Sequence, residues 1–106
     1  MRENEDGAAR PLFAVVPGGA VKYELTAARV CGVGFYGIEV TLTPDGGAPE
    51  RASLPELTAD RALAERILCA MARGAVTPCA AAGVAEDMMA EAAVDRAANE
   101  DAAENV

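Results

Sequence analysis

The chain contains no histidine, one serine (Ser53) and one lysine (Lys22). Without an imidazole there is no conventional base to activate a hydroxyl nucleophile, so hydrolase chemistry built on Ser53 is not expected. The three cysteines, Cys31, Cys69 and Cys79, are odd in number and lack C-x-x-C spacing. That argues against a disulfide scaffold, and with no histidine the usual zinc ligand sets cannot be assembled from one chain. Aromatic residues make up only 4% of a chain that is 52% hydrophobic, so the apolar content is mostly Ala and Val and the expected core is thin. No apolar run approaches the ~20 residues of a membrane-spanning helix. The start, Met1 to Arg10, is charged, and the apolar run after it, Leu12 to Val16, is too short for a secretory signal. Positive charge is scarce too. A net charge of −8 disfavours binding to nucleic-acid phosphates, which requires clustered Lys and Arg. No membrane association and no cofactor are expected, and the predicted setting is cytoplasmic.

What is present reads as strands followed by helices. Residues 1–10 are polar and aperiodic, a flexible leader. Leu12 to Val16 is a short apolar run closed by Pro17-Gly18-Gly19, a strand entering a turn. Across Val21 to Val30, Tyr23, Leu25 and Ala27 alternate with Lys22, Glu24 and Thr26, the period of a half-buried strand. Cys31-Gly32-Val33-Gly34 permits a tight reversal. Tyr36, Ile38, Val40 and Leu42 then alternate with Gly37, Glu39, Thr41 and Thr43, which predicts an antiparallel hairpin with the preceding strand. Pro44-Asp45-Gly46-Gly47-Ala48-Pro49 ends it. Ser53-Leu54-Pro55 reads either as a brief edge strand or as the approach to a helix.

Thr58 is the expected N-cap of a first helix, with Asp60 in its first turn; Leu63, Ala64, Ile67, Leu68 and Met71 fall on one face, and Arg73-Gly74 closes it. Thr77-Pro78 opens a second helix, since proline is tolerated at the first helical position. Its apolar face is Ala81, Val84, Ala85, Met88 and Ala92. Large apolar residues then vanish beyond Val94 until Val106. The fold class is therefore α+β: a small antiparallel sheet, a hairpin plus one or two short strands, followed by two helices packed on one face. Residues 11–94 form the domain and residues 95–106 an acidic, frayed tail.

Lys22-Tyr23-Glu24-Leu25, Tyr36-Gly37-Ile38-Glu39-Val40, a capped helix and Val76-Thr77-Pro78 leading to Glu86-Asp87 occur here in an order that resembles a family of small domains of unknown function from Gram-positive anaerobic bacteria. In that family a YGIEV-like strand precedes a capped helix and a second helix opened by Ser/Thr-Pro. The resemblance spans residues 21–90 and implies the same fold and a bacterial cytoplasm. It transfers no active site. The chain departs from the pattern at Ala80-Ala81-Ala82-Gly83, where larger residues would follow the proline.

Candidate chemistry is sparse. Cys79 falls in the first turn of the second helix, where unpaired amides and the helix dipole favour a thiolate. Cys69 is expected opposite the apolar stripe of the first helix, so the two thiols are candidates for a redox pair. The plainer alternative is a pair of inert cysteines. Asp87 and Glu91 lie about 100° and 140° from Glu86 around a helix, so the three carboxylates do not converge and read as a solvated face. Glycines 32, 34 and 37 bridge two strands rather than opening a helix, which removes the context for phosphate binding and assigns them to the turn. Phe35 and Tyr36 should point to opposite sheet surfaces, leaving Val33 and Phe35 as a possible interaction surface. The function expected first is a non-catalytic interaction or regulatory module that receives a protein partner or a second copy of itself. The alternatives are a thiol-based sensor or enzyme using Cys79 and Cys69, and an acidic binder of basic partners acting through the C-terminal helix.

Overall fold

The structure, a computed structural model that describes residues 10–104, contains four strands and two helices in sequence: β1 (Leu12–Val16), β2 (Gly19–Val30), β3 (Val33–Pro44), β4 (Glu50–Thr58), α1 (Arg61–Arg73) and α2 (Pro78–Glu104). Each strand pairs antiparallel with the next, giving an open sheet of order β1-β2-β3-β4. The α+β class read from the sequence holds, with both helices on one face of the sheet. Residues 1–9 of the expected leader and residues 105–106 of the expected tail lie outside the described residues.

Two-residue turns set the registers. Pro17-Gly18 joins β1 to β2, with Gly18 at φ 84°, and pairs Val16 with Gly19. Leu12–Val16 therefore joins the sheet. Cys31-Gly32 joins β2 to β3 with both residues left-handed, at φ 52° and 81°, and pairs Val30 with Val33. Two positive φ values in succession match the right-handed twist of the flanking strands. Val33 and Gly34, expected in the reversal, belong to β3.

The Ser53-Leu54-Pro55 segment is an edge strand, and β4 runs well past Pro55. It does so through an irregularity: Tyr36 pairs with Thr58 and Ile38 with Leu54, so Pro55, Glu56 and Leu57 face Gly37 alone. Proline is tolerated at such a bulge because it has no ladder bond to lose. Gly37 serves this crossing rather than the turn. A β-carbon there would collide with the Leu54 carbonyl oxygen and sit 2.8 Å from the Pro55 Cα. Gly34 lies in open space, and only Gly32 of the three glycines occupies the turn itself.

Alternation along the strands sends Val21, Tyr23, Ile38 and Val40 to the helix side, where they are buried with Leu63, Ala64, Ile67, Leu68 and Met71 of α1 and Ala81 and Ala85 of α2. All five predicted stripe residues of α1 are buried. Burying the large ones stabilises the fold by about 1.5–3 kcal/mol each. On α2, Val84, Met88, Met89 and Ala92 pack partly against this core. α1 covers β1, β2 and β3 more than β4, and α2 covers β4 and β3.

The caps differ in detail from expectation. Asp60, not Thr58, is the N-cap of α1: its carboxylate accepts from the Leu63 N–H at 3.3 Å, while the Thr58 hydroxyl accepts from the Asp60 N–H at 3.0 Å. Gly74 is the C-cap but keeps a helical φ of −88°; the left-handed residue is Ala75, at φ 52°. The Val76 N–H then reaches back to the Met71 carbonyl at 3.0 Å. α2 begins at Pro78 as the sequence predicts, and continues as helix past Val94 to Glu104. Fading at Val94 was expected from lost apolar contacts. Alanine's high intrinsic helix propensity carries the segment on without them.

One side chain crosses the core. Tyr23, on β2, is fully buried, and its hydroxyl donates to the carbonyl of Val76, between the helices, at 2.7 Å. Burial pushes its phenol above the ordinary tyrosine range by disfavouring the charged form.

Candidate functional site

The surface opposite the helices is built from the outward positions of all four strands. Its centre is polar. Glu24 and Glu39 stand directly across β2 and β3, a like-charge pair that on its own destabilises a sheet. Two cations offset it, Lys22 at 3.6 Å from Glu24 and Arg51 at 3.4 Å from Glu39. Thr41, opposite Lys22 and Arg51, completes the middle of this face.

Apolar side chains flank that polar centre. At one end the β2–β3 hairpin extends beyond its neighbours, since β1 pairs with β2 only as far as Tyr23 and β4 pairs with β3 only from Tyr36. Val30 pairs with Val33 there and Ala28 with Phe35, all on the open side. Val30 and Val33 are 38% and 50% exposed, and Phe35 is half-buried. Tyr36 points to the helix side, where the Arg61 guanidinium lies 6.0 Å from its ring centre. At the other end, on the edge strand β1, Phe13 and Val15 are 65% and 88% exposed. The sequence pattern points to Val33 and Phe35 but not to Phe13 and Val15. All five residues of β1 are apolar, so alternation carries no signal about which of them face the helices.

The thiols are on the other side of the molecule or at its tip. Cys31 is in the hairpin turn, Cys69 on α1 and Cys79 in the first turn of α2, and all three are free and exposed. The Thr77 hydroxyl is 3.7 Å from the Cys79 sulfur. Cys69 lines a shallow groove with Arg66, Arg73 and, from α2, Met88. Met88 lies nine residues along the helix from Cys79, about 13 Å of helical rise, and no disulfide joins Cys69 to Cys79. Glu86, Asp87 and Glu91 are exposed on α2. Among the described residues no group of three or more His, Cys, Asp or Glu side chains is placed to hold a metal ion. Among them also, no helix is long and apolar enough to cross a membrane.

Comparison with known proteins places residues 17–91 on the model of a family described as a family of unknown function, DUF6514. The matched span starts at the β1–β2 turn and ends within α2. No curated protein and no solved structure matches the chain.

Proposed function

This chain belongs to DUF6514, a family of unknown function, and we propose that it is a non-catalytic protein-interaction module that takes its partner on the sheet surface facing away from the helices. The observation that carries this reading is the exposure of Val30 and Val33, with Phe35 beside them, on a hairpin that, among the described residues, no other strand or helix covers on that side. Exposed apolar clusters on a small protein mark association surfaces. The ion pairs in the middle of the face supply the polar surroundings that fix orientation in protein interfaces. A bacterial cytoplasmic setting, implied by the family resemblance, is part of the proposal.

Site-specific photo-crosslinking in the source cell tests it. A crosslinker placed at Val33 should yield a discrete adduct, and one placed at Glu86 on the helix side should not. Adducts formed equally from both positions, or from Glu86 alone, would move the binding surface off the sheet.

A further inference from the structure

We propose that β1 is a self-pairing edge: two copies of the chain join antiparallel through β1 about a twofold axis at Ala14, extending two four-stranded sheets into one. It deepens the preceding reading, and rests on it only for taking the sheet as the binding side.

The two edges of the sheet differ in how they resist pairing. β4 carries the charges Glu50, Arg51 and Glu56, a proline and the bulge opposite Gly37. These are the devices by which natural sheets blunt an edge. β1, with the sequence Leu-Phe-Ala-Val-Val, carries none of them. The preceding segment, Met1 to Arg10, contains Arg2, Glu3, Glu5, Asp6 and Arg10 and no β-branched or aromatic side chain, a composition poorly suited to adding a strand.

Backbone direction and side-chain pairing both fit a second copy. The two-residue turn makes Val16 and Gly19 a hydrogen-bonded pair, so Val16, Ala14 and Leu12 turn their N–H and C=O groups toward β2. Phe13 and Val15 therefore turn theirs to the open edge. With the axis at Ala14, Phe13 of one copy meets Val15 of the other and the reverse, so these outward groups form two hydrogen-bonded pairs. On the open face this stacks Phe13 on Val15 twice, an aromatic on a β-branched side chain, a favourable cross-strand combination. On the helix side Leu12 meets Val16, continuing the apolar layer beneath α1. No charge of β1 is placed against a charge of the partner strand, because β1 has none. The polar centre, with Glu24, Glu39, Lys22 and Arg51, disfavours stacking the sheets face to face and leaves the edge as the route to a twofold dimer.

Light scattering over a wide concentration range, with reductant, tests this on the intact chain and on Val15→Lys, Val15→Pro and Val33→Lys, with circular dichroism and urea midpoints to check folding. The intact chain should form a dimer in the micromolar range. Val15→Lys places a charge in both halves of the twofold contact and should raise the dissociation constant about tenfold or more. Val15→Pro removes an outward N–H without touching the β1–β2 ladder and should act similarly. Val33→Lys should leave the dimer intact. Amide exchange gives a second readout: Phe13 and Val15 should gain protection with concentration, while Ala14 is protected throughout. A chain that stays monomeric to millimolar concentration overturns the self-pairing and leaves the hairpin reading standing. A dimer dispersed by Val33→Lys but not by either Val15 variant also overturns it, and assigns association to the hairpin.

Discussion

Tyr23 bears the largest consequence of any single polar atom in the core. Tyr23→Phe removes the hydrogen bond to the Val76 carbonyl and should lower stability by about 1 kcal/mol in urea denaturation. Because burial raises the phenol's pKa in the folded state, the folded chain holds that proton more tightly than the unfolded one. Tyr23's contribution is thus fully present below the ordinary tyrosine pKa of about 10 and is lost as pH rises through the higher folded value. Urea midpoints measured from neutral to strongly alkaline pH should fall in that upper window, and Tyr23→Phe should reduce the fall.

Of the three non-glycine residues in left-handed backbone, Glu56 belongs to the bulge of β4, and the other two sit where a substitution should help. Cys31, at φ 52° in the hairpin turn, and Ala75, at φ 52° after α1, each oppose a preference of about 1–2 kcal/mol. Cys31→Asn and Ala75→Gly should each raise the thermal midpoint, by an amount corresponding to about 0.5–1 kcal/mol. Sequence reading places a reversal at Cys31-Gly32 and a helix end at Gly74 but misses Ala75. Gly74 satisfies the usual expectation for a terminator, and the left-handed φ of Ala75 with the bond from Val76 to Met71 shows that the chain turns one residue later.

At the scale of elements, α1 was legible because five apolar residues at helical spacing admit one amphipathic reading, and all five are buried. Leu68→Ala should cost about 2–5 kcal/mol by urea denaturation, the range for truncating a buried leucine. Its N-cap was less legible, since Thr58 and Asp60 are both capping residues and the choice depends on which oxygen reaches the Leu63 N–H. β4 was readable only in part. A proline inside a strand argues against the strand unless a bulge accommodates it, and the bulge depends on Gly37, some twenty residues earlier in the chain. Gly37→Ala should destabilise by about 1–3 kcal/mol, as overpacking does, whereas Gly34→Ala, in open space, should be nearly neutral by the same measurement. For the candidate site, Val33 and Phe35 were legible because the hairpin alternates. Phe13 and Val15 were not, because being an edge is a property of the sheet and not of the strand's own sequence.

For the molecule as a whole, charge and association oppose one another. The net charge is −8, and Glu86, Asp87, Glu91, Asp95, Glu100, Asp101 and Glu104 face only Arg96 in the segment after the first turn of α2. Two copies brought together therefore repel at long range, and salt screens that repulsion. Raising ionic strength should tighten the dimer, as read by light scattering, although an interface held by surface ion pairs would loosen. The helix beyond Val94 is exposed as far as its side chains are described. A chain ending at Val94 should keep its unfolding free energy in urea to within about 0.5 kcal/mol and should dimerise at lower concentration, having lost four acidic side chains and one basic one.

The bond from Tyr23 to Val76 joins residues 53 positions apart, one in the sheet and the other between the helices, so it closes only when the two layers have met. The chain has two tyrosines and no tryptophan, and the second, Tyr36, lies under Arg61 near the surface. Ultraviolet absorbance or fluorescence of Tyr36→Phe therefore isolates the buried phenol as an intrinsic optical clock for layer docking, timed separately from the appearance of secondary structure and requiring no attached dye.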